Sequence, residues 1–71
     1  MVKISLKAAR INAGLSQKEV ASILKKSNKT ICNWEKGESF PDAMMIDALC
    51  NLYGISYDHI NFLPNDSLKE N

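Results

Sequence analysis

The sequence predicts an all-α domain in which five short helices are joined by tight turns. Apolar residues recur every three or four positions, which is the spacing of one face of an α-helix. Serines stand where these periodic segments begin, and glycines stand where most of them end. No segment alternates apolar and polar residues as a half-buried strand does. These observations favour helices throughout the chain.

The first helix is predicted over residues 5–13, and the second begins at Ser16. Four residues of the first helix share one face, because they lie at i, i+3, i+4 and i+7: Leu6, Ala9, Arg10 and Ala13. Gly14 stands where a left-handed residue ends many helices. Ser16 and Glu19 have the spacing of a capping box. The apolar stripe of the second helix consists of Val20, Ala21 and Leu24.

The third helix is predicted over about residues 28–36, after a short turn that contains two lysines. Ser27 can cap this helix, and Gly37 can end it. Ile31 and Trp34 lie on its apolar side and are expected to point inward. Because only a few residues join the second and third helices, the two cannot lie antiparallel. Their spacing is that of a helix-turn-helix.

The fourth helix is predicted over about residues 42–53, directly after Pro41, and Gly54 ends it. Its inward face is expected to carry five residues: Ala43, Ile46, Leu49, Cys50 and Tyr53. Ser56 is expected to cap a short fifth helix over about residues 57–62.

The length of 71 residues allows one domain, predicted over residues 1–64, with a polar and flexible tail over residues 65–71. No signal peptide is apparent, and no apolar run approaches the ~20 residues that cross a bilayer, so a cytoplasmic protein is expected. Cys32, Cys50 and His59 are too few for a structural zinc site, and no metal or other cofactor is expected. A single histidine and the lack of a nucleophile motif argue against an enzyme.

Charge is distributed unevenly along the chain. Residues 1–37 contain eight lysine and arginine residues against two glutamates, a net charge of +6. Residues 38–71 contain Lys69 against six acidic residues, a net charge of −5. The basic half is suited to a polyanion, and the acidic half is expected to face away from it.

Three polar residues of the third helix are expected to face DNA bases: Asn28, Lys29 and Asn33. Asparagine can form two hydrogen bonds with adenine, and lysine can reach guanine O6 and N7. Residues at helix starts and along the basic surface are suited to phosphate oxygens: Gln17, Lys18, Lys25, Lys26, Ser27, Thr30 and Lys36. Solvated surface is the alternative for both sets. Cys32 lies among them, either as a redox-active thiol or as a small, semi-exposed side chain.

Several short motifs occur in a fixed order: Gly14-Leu15-Ser16-Gln17, Glu19 with Ala21, Thr30-Ile31, Trp34-Glu35 with Gly37, Pro41, and Gly54-Ile55-Ser56. Over about residues 6–60 this order resembles the phage-repressor and Cro-like helix-turn-helix family, also called the xenobiotic-response-element family. The resemblance implies a lambda-repressor-like domain of five helices, in which the second and third helices bind double-stranded DNA. It also implies that Gln17 touches the DNA backbone and that Arg10 pairs with Glu35.

The turn departs from the pattern of the family at Lys25 and Lys26, where the family usually has a glycine and an aliphatic residue. Positive φ at Lys25 costs ~1 kcal/mol. If Lys25 does not adopt positive φ, the second helix continues past it and the turn has another shape. Unlike the residues usual in the family, both lysine side chains can extend toward DNA phosphates.

The resemblance implies a sequence-specific transcriptional regulator, of repressor or Cro type, that needs no small-molecule ligand. Two copies are expected on a two-fold operator, each with its third helix in the major groove. A possible dimer surface consists of Met44, Met45, Ala48, Leu52 and Phe62. The alternative is a protein-interaction module, such as an antitoxin or an anti-repressor partner, that uses the surface of helix 42–53. RNA is a further alternative, although the sequence lacks an exposed aromatic platform.

Overall fold

The computed structural model describes residues 3–62. Four α-helices and two short strands follow in the order β1 (Ile4–Ser5), α1 (Leu6–Asn12), α2 (Gln17–Leu24), α3 (Asn28–Lys36), α4 (Ala43–Tyr53) and β2 (Ile60–Asn61). A single 3₁₀ turn, Tyr57–His59, lies between α4 and β2. The predicted boundary at residue 64 and the predicted tail over residues 65–71 lie outside the described residues.

Side-chain caps fix where the helices begin. Each of the four helices follows a residue whose side chain accepts a hydrogen bond from a backbone amide in the first turn: Ser5, Ser16, Ser27 and Asp42. The amide of Ser16 donates to Glu19 Oε1 at 2.8 Å, so the predicted capping box is confirmed. Replacing such a cap with alanine costs about 1 kcal/mol, so these residues specify the helix boundaries locally.

The apolar faces of the helices meet in one core. Its buried residues are Leu6, Ala9, Val20, Ala21, Ile31, Trp34, Leu49, Tyr53 and Ile60. Ile31 and Trp34 are 1% and 5% exposed, which confirms that this side of α3 points inward. α2 packs against α3, whereas α4 packs against α1 and the 3₁₀ turn. Asn28, Lys29 and Lys36 of α3 remain exposed to the solvent.

The structure corrects the predicted fifth helix over residues 57–62. The chain makes only the 3₁₀ turn of Tyr57–His59 and then becomes extended. Ser56 makes no side-chain hydrogen bond to a cap amide. Its hydroxyl lies instead 2.6 Å from Nδ1 of His59, so the interaction that would start an α-helix is missing.

The all-α class is also corrected in one respect, because β1 and β2 form a two-stranded parallel sheet. Ile4 is paired with Ile60, and Ser5 is paired with Asn61. Ile60 is only 2% exposed, so the pairing places an apolar side chain in the core while the backbone forms its hydrogen bonds. The domain is therefore mostly helical, with a short strand pair beside α1.

Two predicted helix faces include a residue that the structure places in solvent. α1 is shorter than the predicted helix over residues 5–13, because Ser5 is its cap and Ala13 follows its last turn. Ala13 is exposed rather than part of the inner face. Ala43 is likewise exposed, since it is the first residue of α4 and lies where that helix leaves the core.

Candidate nucleic-acid interface

The turn between α2 and α3 contains Lys25 in a left-handed conformation. Its φ is 59° and its ψ is 43°, and no other non-glycine residue among residues 3–62 has positive φ. The amide of Lys26 donates to the carbonyl of Ala21 at 2.9 Å, which closes the end of α2. Lys25 therefore adopts the conformation that glycine adopts most easily, at a cost of roughly 1 kcal/mol.

Two hydroxyl groups interact at the start of α3. Ser27 Oγ accepts a hydrogen bond from the amide of Thr30 at 3.1 Å, and it lies 2.9 Å from Thr30 Oγ1. One hydroxyl hydrogen is used in this contact, and the other remains available for donation. Both residues were predicted to contact the DNA backbone. The structure places them together at the first turn of α3, where free amides and the helix dipole favour an anion.

The outward side of α3 is polar and accessible. Asn28 and Lys29 are exposed, and Asn33 is half-buried. These three side chains make no hydrogen bond or ion pair with another residue of the described range. Cys32 is half-buried and carries a free thiol on the same helix. Lys29 and Asn33, four residues apart, thus share the side of α3 that faces away from its buried residues, and Asn28 is exposed in the first turn.

A cluster of hydrogen-bonded side chains, which we call the Arg10 cluster, joins α1, α2 and α3. It consists of Arg10, Gln17, Glu35 and the carbonyl of Leu15. Arg10 Nε donates to Glu35 Oε2 at 2.7 Å, and these two side chains are only 11% and 4% exposed. Arg10 Nη1 donates to the carbonyl of Leu15 at 2.9 Å. Gln17 Nε2 donates to Glu35 Oε1 at 3.0 Å.

The Arg10 cluster contains more than the sequence indicated. The resemblance implied the pair of Arg10 and Glu35, and it assigned Gln17 to the DNA backbone alone. The structure adds the hydrogen bond from Gln17 to Glu35 and the contact with the Leu15 carbonyl. Gln17 and Glu35 are 18 residues apart, and no local pattern signals their contact. The first residue of α2 is therefore fixed to α3 through a buried carboxylate.

Tyr53 extends from α4 to the neighbourhood of this cluster. Its hydroxyl is buried and has no hydrogen-bond partner among residues 3–62. Burial is the main reason that its pKa is raised to about 12, and the Glu35 carboxylate raises it further, whereas Arg10 lowers it. Tyr53 consequently stays neutral in the folded protein at physiological pH.

The lysines predicted to contact phosphates are all exposed. They are Lys18 on α2, Lys25 and Lys26 in the turn, and Lys36 at the end of α3. Residues 3–37 contain all eight lysine and arginine residues of the described range, and residues 38–62 contain four acidic residues and no lysine or arginine. The positive charge therefore belongs to α1–α3, and the negative charge belongs to the segment that contains α4.

The predicted dimer surface is only partly exposed. Met44 is 74% exposed, and Ala48 is half-buried. Met45, Leu52 and Phe62 are half-buried and pack against the core. Phe62 also stacks on Tyr57, with 5.5 Å between the ring centroids.

The described residues give no support to two other kinds of site. Within residues 3–62, no group of three or more histidine, cysteine, aspartate or glutamate side chains could hold a metal ion. No helix in the same range has both the length and the apolar character needed to cross a membrane.

Comparison with known proteins agrees with the geometry of α2 and α3. The family described as "Helix-turn-helix domain" matches residues 4–61. The HTH-type transcriptional regulator ImmR of Bacillus subtilis (strain 168) is 40% identical over 55 residues, which cover 78% of this chain and 43% of that protein. The chain thus spans less than half the length of this relative, and no solved structure gives a significant match. The chain belongs to the helix-turn-helix domain family, of the Cro-like, xenobiotic-response-element type.

Proposed function

We propose that this chain binds double-stranded DNA, with α3 as the recognition helix in the major groove, and thereby regulates transcription. One observation carries the proposal. The side chains of Asn28, Lys29 and Asn33 make no hydrogen bond with another residue of the described range, while Ile31 and Trp34 hold the other side of α3 in the core. A rigid helix with free polar side chains is suited to contacts with base edges.

We assign base contacts to the outward residues of α3, Asn28, Lys29 and Asn33. The asparagine amide can donate to adenine N7 and accept from N6, and the lysine ammonium can donate to guanine O6 and N7. Asn28 and Lys29 lie in the first turn of α3, the part of a recognition helix that contacts bases in other helix-turn-helix proteins.

The Arg10 cluster supports a phosphate contact by Gln17. The Gln17 amide nitrogen has two hydrogens, and only one of them is donated to Glu35. The second can be donated to a phosphate oxygen, while the bond to Glu35 restricts the orientation of the side chain. Ser27 and Thr30 at the start of α3, together with the lysines of α2 and the turn, complete the proposed backbone contacts.

We further propose a repressor or Cro-type mode of action in which two copies occupy a two-fold operator. Met44 is the most accessible member of the proposed dimer surface. ImmR is named a transcriptional regulator, and that name supports regulation as the outcome of binding. The proposed activity is binding rather than catalysis, and the free thiols of Cys32 and Cys50 suit a reducing cytoplasm.

Selection of bound duplexes from a random DNA library tests this proposal. The expected result is one enriched motif with two-fold symmetry, whose half-sites are about 34 Å apart along the duplex. The enriched duplex should bind more tightly than either of its single strands. The absence of any enriched motif, or a preference for single strands or RNA hairpins, would contradict sequence-specific binding to duplex DNA.

A further inference from the structure

An open groove lies between α4 and the segment that follows it. Its volume is about 560 Å³, and it is lined by Ala43, Ile46, Asp47, Cys50, Asn51, Ile55, Ser56 and Tyr57. This α4 groove contains no residue of α1, α2 or α3, so it is separate from the candidate nucleic-acid interface. It also contains none of the residues predicted to form the dimer surface.

Apolar side chains from two segments line the α4 groove. Ile46 and Cys50 come from adjacent turns of α4, and Ile55 and Tyr57 face them from the following segment. Burial, and to a smaller extent the nearby Asp47, raises the pKa of the Cys50 thiol, which is therefore neutral. Tyr57 is 59% exposed, although its ring stacks on Phe62. Exposed aromatic rings that are held in place are frequent anchors of protein interfaces.

The surroundings of the groove are acidic. Asp47 lines it, Asp42 precedes Ala43 at the start of α4, and Asp58 follows Tyr57. The segment of residues 38–62, which lines the groove, contains four acidic residues and no lysine or arginine. The groove is therefore complementary to an apolar segment that carries positive charge.

The same charges disfavour a second copy of this chain as a symmetric occupant. In a dimer whose two-fold axis passes through the groove, each groove would meet the identical surface of its partner. Acidic surface would then face acidic surface, and like charges that approach in an interface weaken association. A cationic segment of a different protein gains electrostatically from the same arrangement.

We propose that the α4 groove binds a short apolar segment of another protein, flanked by lysine or arginine residues. The apolar side chains would lie over Ile46, Ile55 and Tyr57, and the flanking cations would lie near Asp47. Because no residue of α1, α2 or α3 lines the groove, this binding does not use the proposed DNA contacts. Its failure would leave the proposed DNA binding intact.

Selection from a displayed library of random peptides tests the proposal directly. The enriched sequences should combine two or three large apolar residues with lysine or arginine at the ends. One enriched peptide would then be synthesised, and its dissociation constant would be measured by fluorescence anisotropy. Enrichment of acidic or uncharged peptides, or no enrichment, would overturn the proposal.

Three variants locate the binding site of the selected peptide. Ala43→Arg places a bulky cation at an exposed lining residue and should weaken binding by more than tenfold. Asp47→Asn should weaken binding about two- to fivefold, as expected for one exposed ion pair. Glu38→Gln removes the same charge at a residue that does not line the groove, and it should leave the dissociation constant within about twofold.

Two results would overturn this location. Peptide binding that is unchanged in Ala43→Arg would show that the peptide binds elsewhere. Association of the protein with itself in analytical ultracentrifugation, if Ala43→Arg abolishes it, would show that a second copy occupies the groove. Circular dichroism and thermal melting of each variant check that a loss of binding is not a loss of folding.

Discussion

Asn33 lies next to the buried Trp34, and it is the half-buried member of the three proposed base-contacting residues. Its short side chain has few rotamers to lose, and the packed helix restricts where its amide can point. Lys29 is exposed and has a long, flexible side chain that carries its charge to many positions. At the residue scale, Asn33 is therefore the better candidate for discrimination between bases, and Lys29 contributes more general attraction.

Asn33→Ala should weaken binding to the selected operator by ~1–3 kcal/mol and weaken binding to random DNA much less. The reason is that a bidentate base contact is lost while the phosphate contacts remain. Electrophoretic mobility shifts with both duplexes measure the difference. Asn51→Ala is the matched control, because it removes the same side chain from α4 and should change neither affinity. An equal loss on both duplexes would show that Asn33 does not contact bases.

Lys25→Gly should raise the free energy of unfolding by roughly 0.5–1 kcal/mol. Glycine adopts the observed φ of 59° without the steric cost that lysine bears, although it also increases the entropy of the unfolded chain. Urea denaturation measures the change. Lys26→Gly is the control, since Lys26 lacks positive φ and the substitution should not stabilise the protein. Destabilisation by Lys25→Gly would mean that the lysine makes a compensating interaction.

At the scale of elements, α2, α3 and α4 were predictable because their signals are local. Caps lie within three residues of the amides that they accept from, and left-handed residues end the helices. The segment after Ser56 was not predictable by the same rules. Strands of two residues are too short to show alternation, and their partner lies at the other end of the described chain.

The candidate interface likewise has one part that was predictable from the sequence and one part that was not. The outward residues of α3 follow from helical periodicity and from the resemblance to the family. The Gln17–Glu35 hydrogen bond could not be predicted, because it depends on how α2 and α3 are placed in space. The Arg10 cluster is therefore the set of contacts that fixes α1, α2 and α3 relative to one another.

Arg10→Met should lower the free energy of unfolding by ~3–5 kcal/mol, because it leaves the Glu35 carboxylate buried without a cation. The double variant Arg10→Met, Glu35→Met should recover most of this loss, since apolar side chains can replace a buried ion pair at small cost. Urea denaturation of the single and double variants gives the coupling energy. Lys7→Met on the exposed side of α1 is the control, with an expected change within ~0.5 kcal/mol. If the losses of stability from Arg10→Met and Glu35→Met simply add in the double variant, the two side chains are not coupled and the prediction is wrong.

The buried hydroxyl of Tyr53 predicts a loss of stability at high pH. Its pKa is raised to about 12 from the ordinary value of 10, so the folded state favours the neutral phenol. This contribution is fully present below pH 10 and is lost as the pH rises from 10 through 12. Tyr53→Phe should therefore lose less stability across that interval than the wild type. Tyr57→Phe removes an exposed hydroxyl and should behave as the wild type, and identical curves for all three proteins would contradict the prediction.

At the scale of the whole molecule, charge separates the two proposed binding functions. The basic residues belong to α1–α3 and the acidic residues of the described range lie mainly in residues 38–62, as the sequence indicated. A polyanion is therefore attracted to one part of the molecule and repelled from the other. The sequence alone revealed this polarity, but the α4 groove required the placement of residues 55–57 against α4.

DNA affinity should fall steeply as salt is added. With roughly four to six phosphate contacts per monomer, the slope of log K against log salt concentration is expected near −4 to −5 per monomer. Fluorescence anisotropy at several potassium chloride concentrations measures it. Lys26→Gln should reduce the magnitude of the slope by about one, whereas Glu38→Gln should not reduce it. A flat dependence on salt would remove the electrostatic part of the proposed binding.

The parallel pairing of β1 with β2 has a mechanical consequence. Because the strands run in the same direction, tension on the chain before Ile4 and after Asn61 pulls them past each other lengthwise. Their hydrogen bonds then share the load at once, whereas peeling would break them one after another. The strand pair is therefore expected to resist stretching of the segment between its strands, which contains the four helices. The burial of Ile60 in the core adds to this resistance.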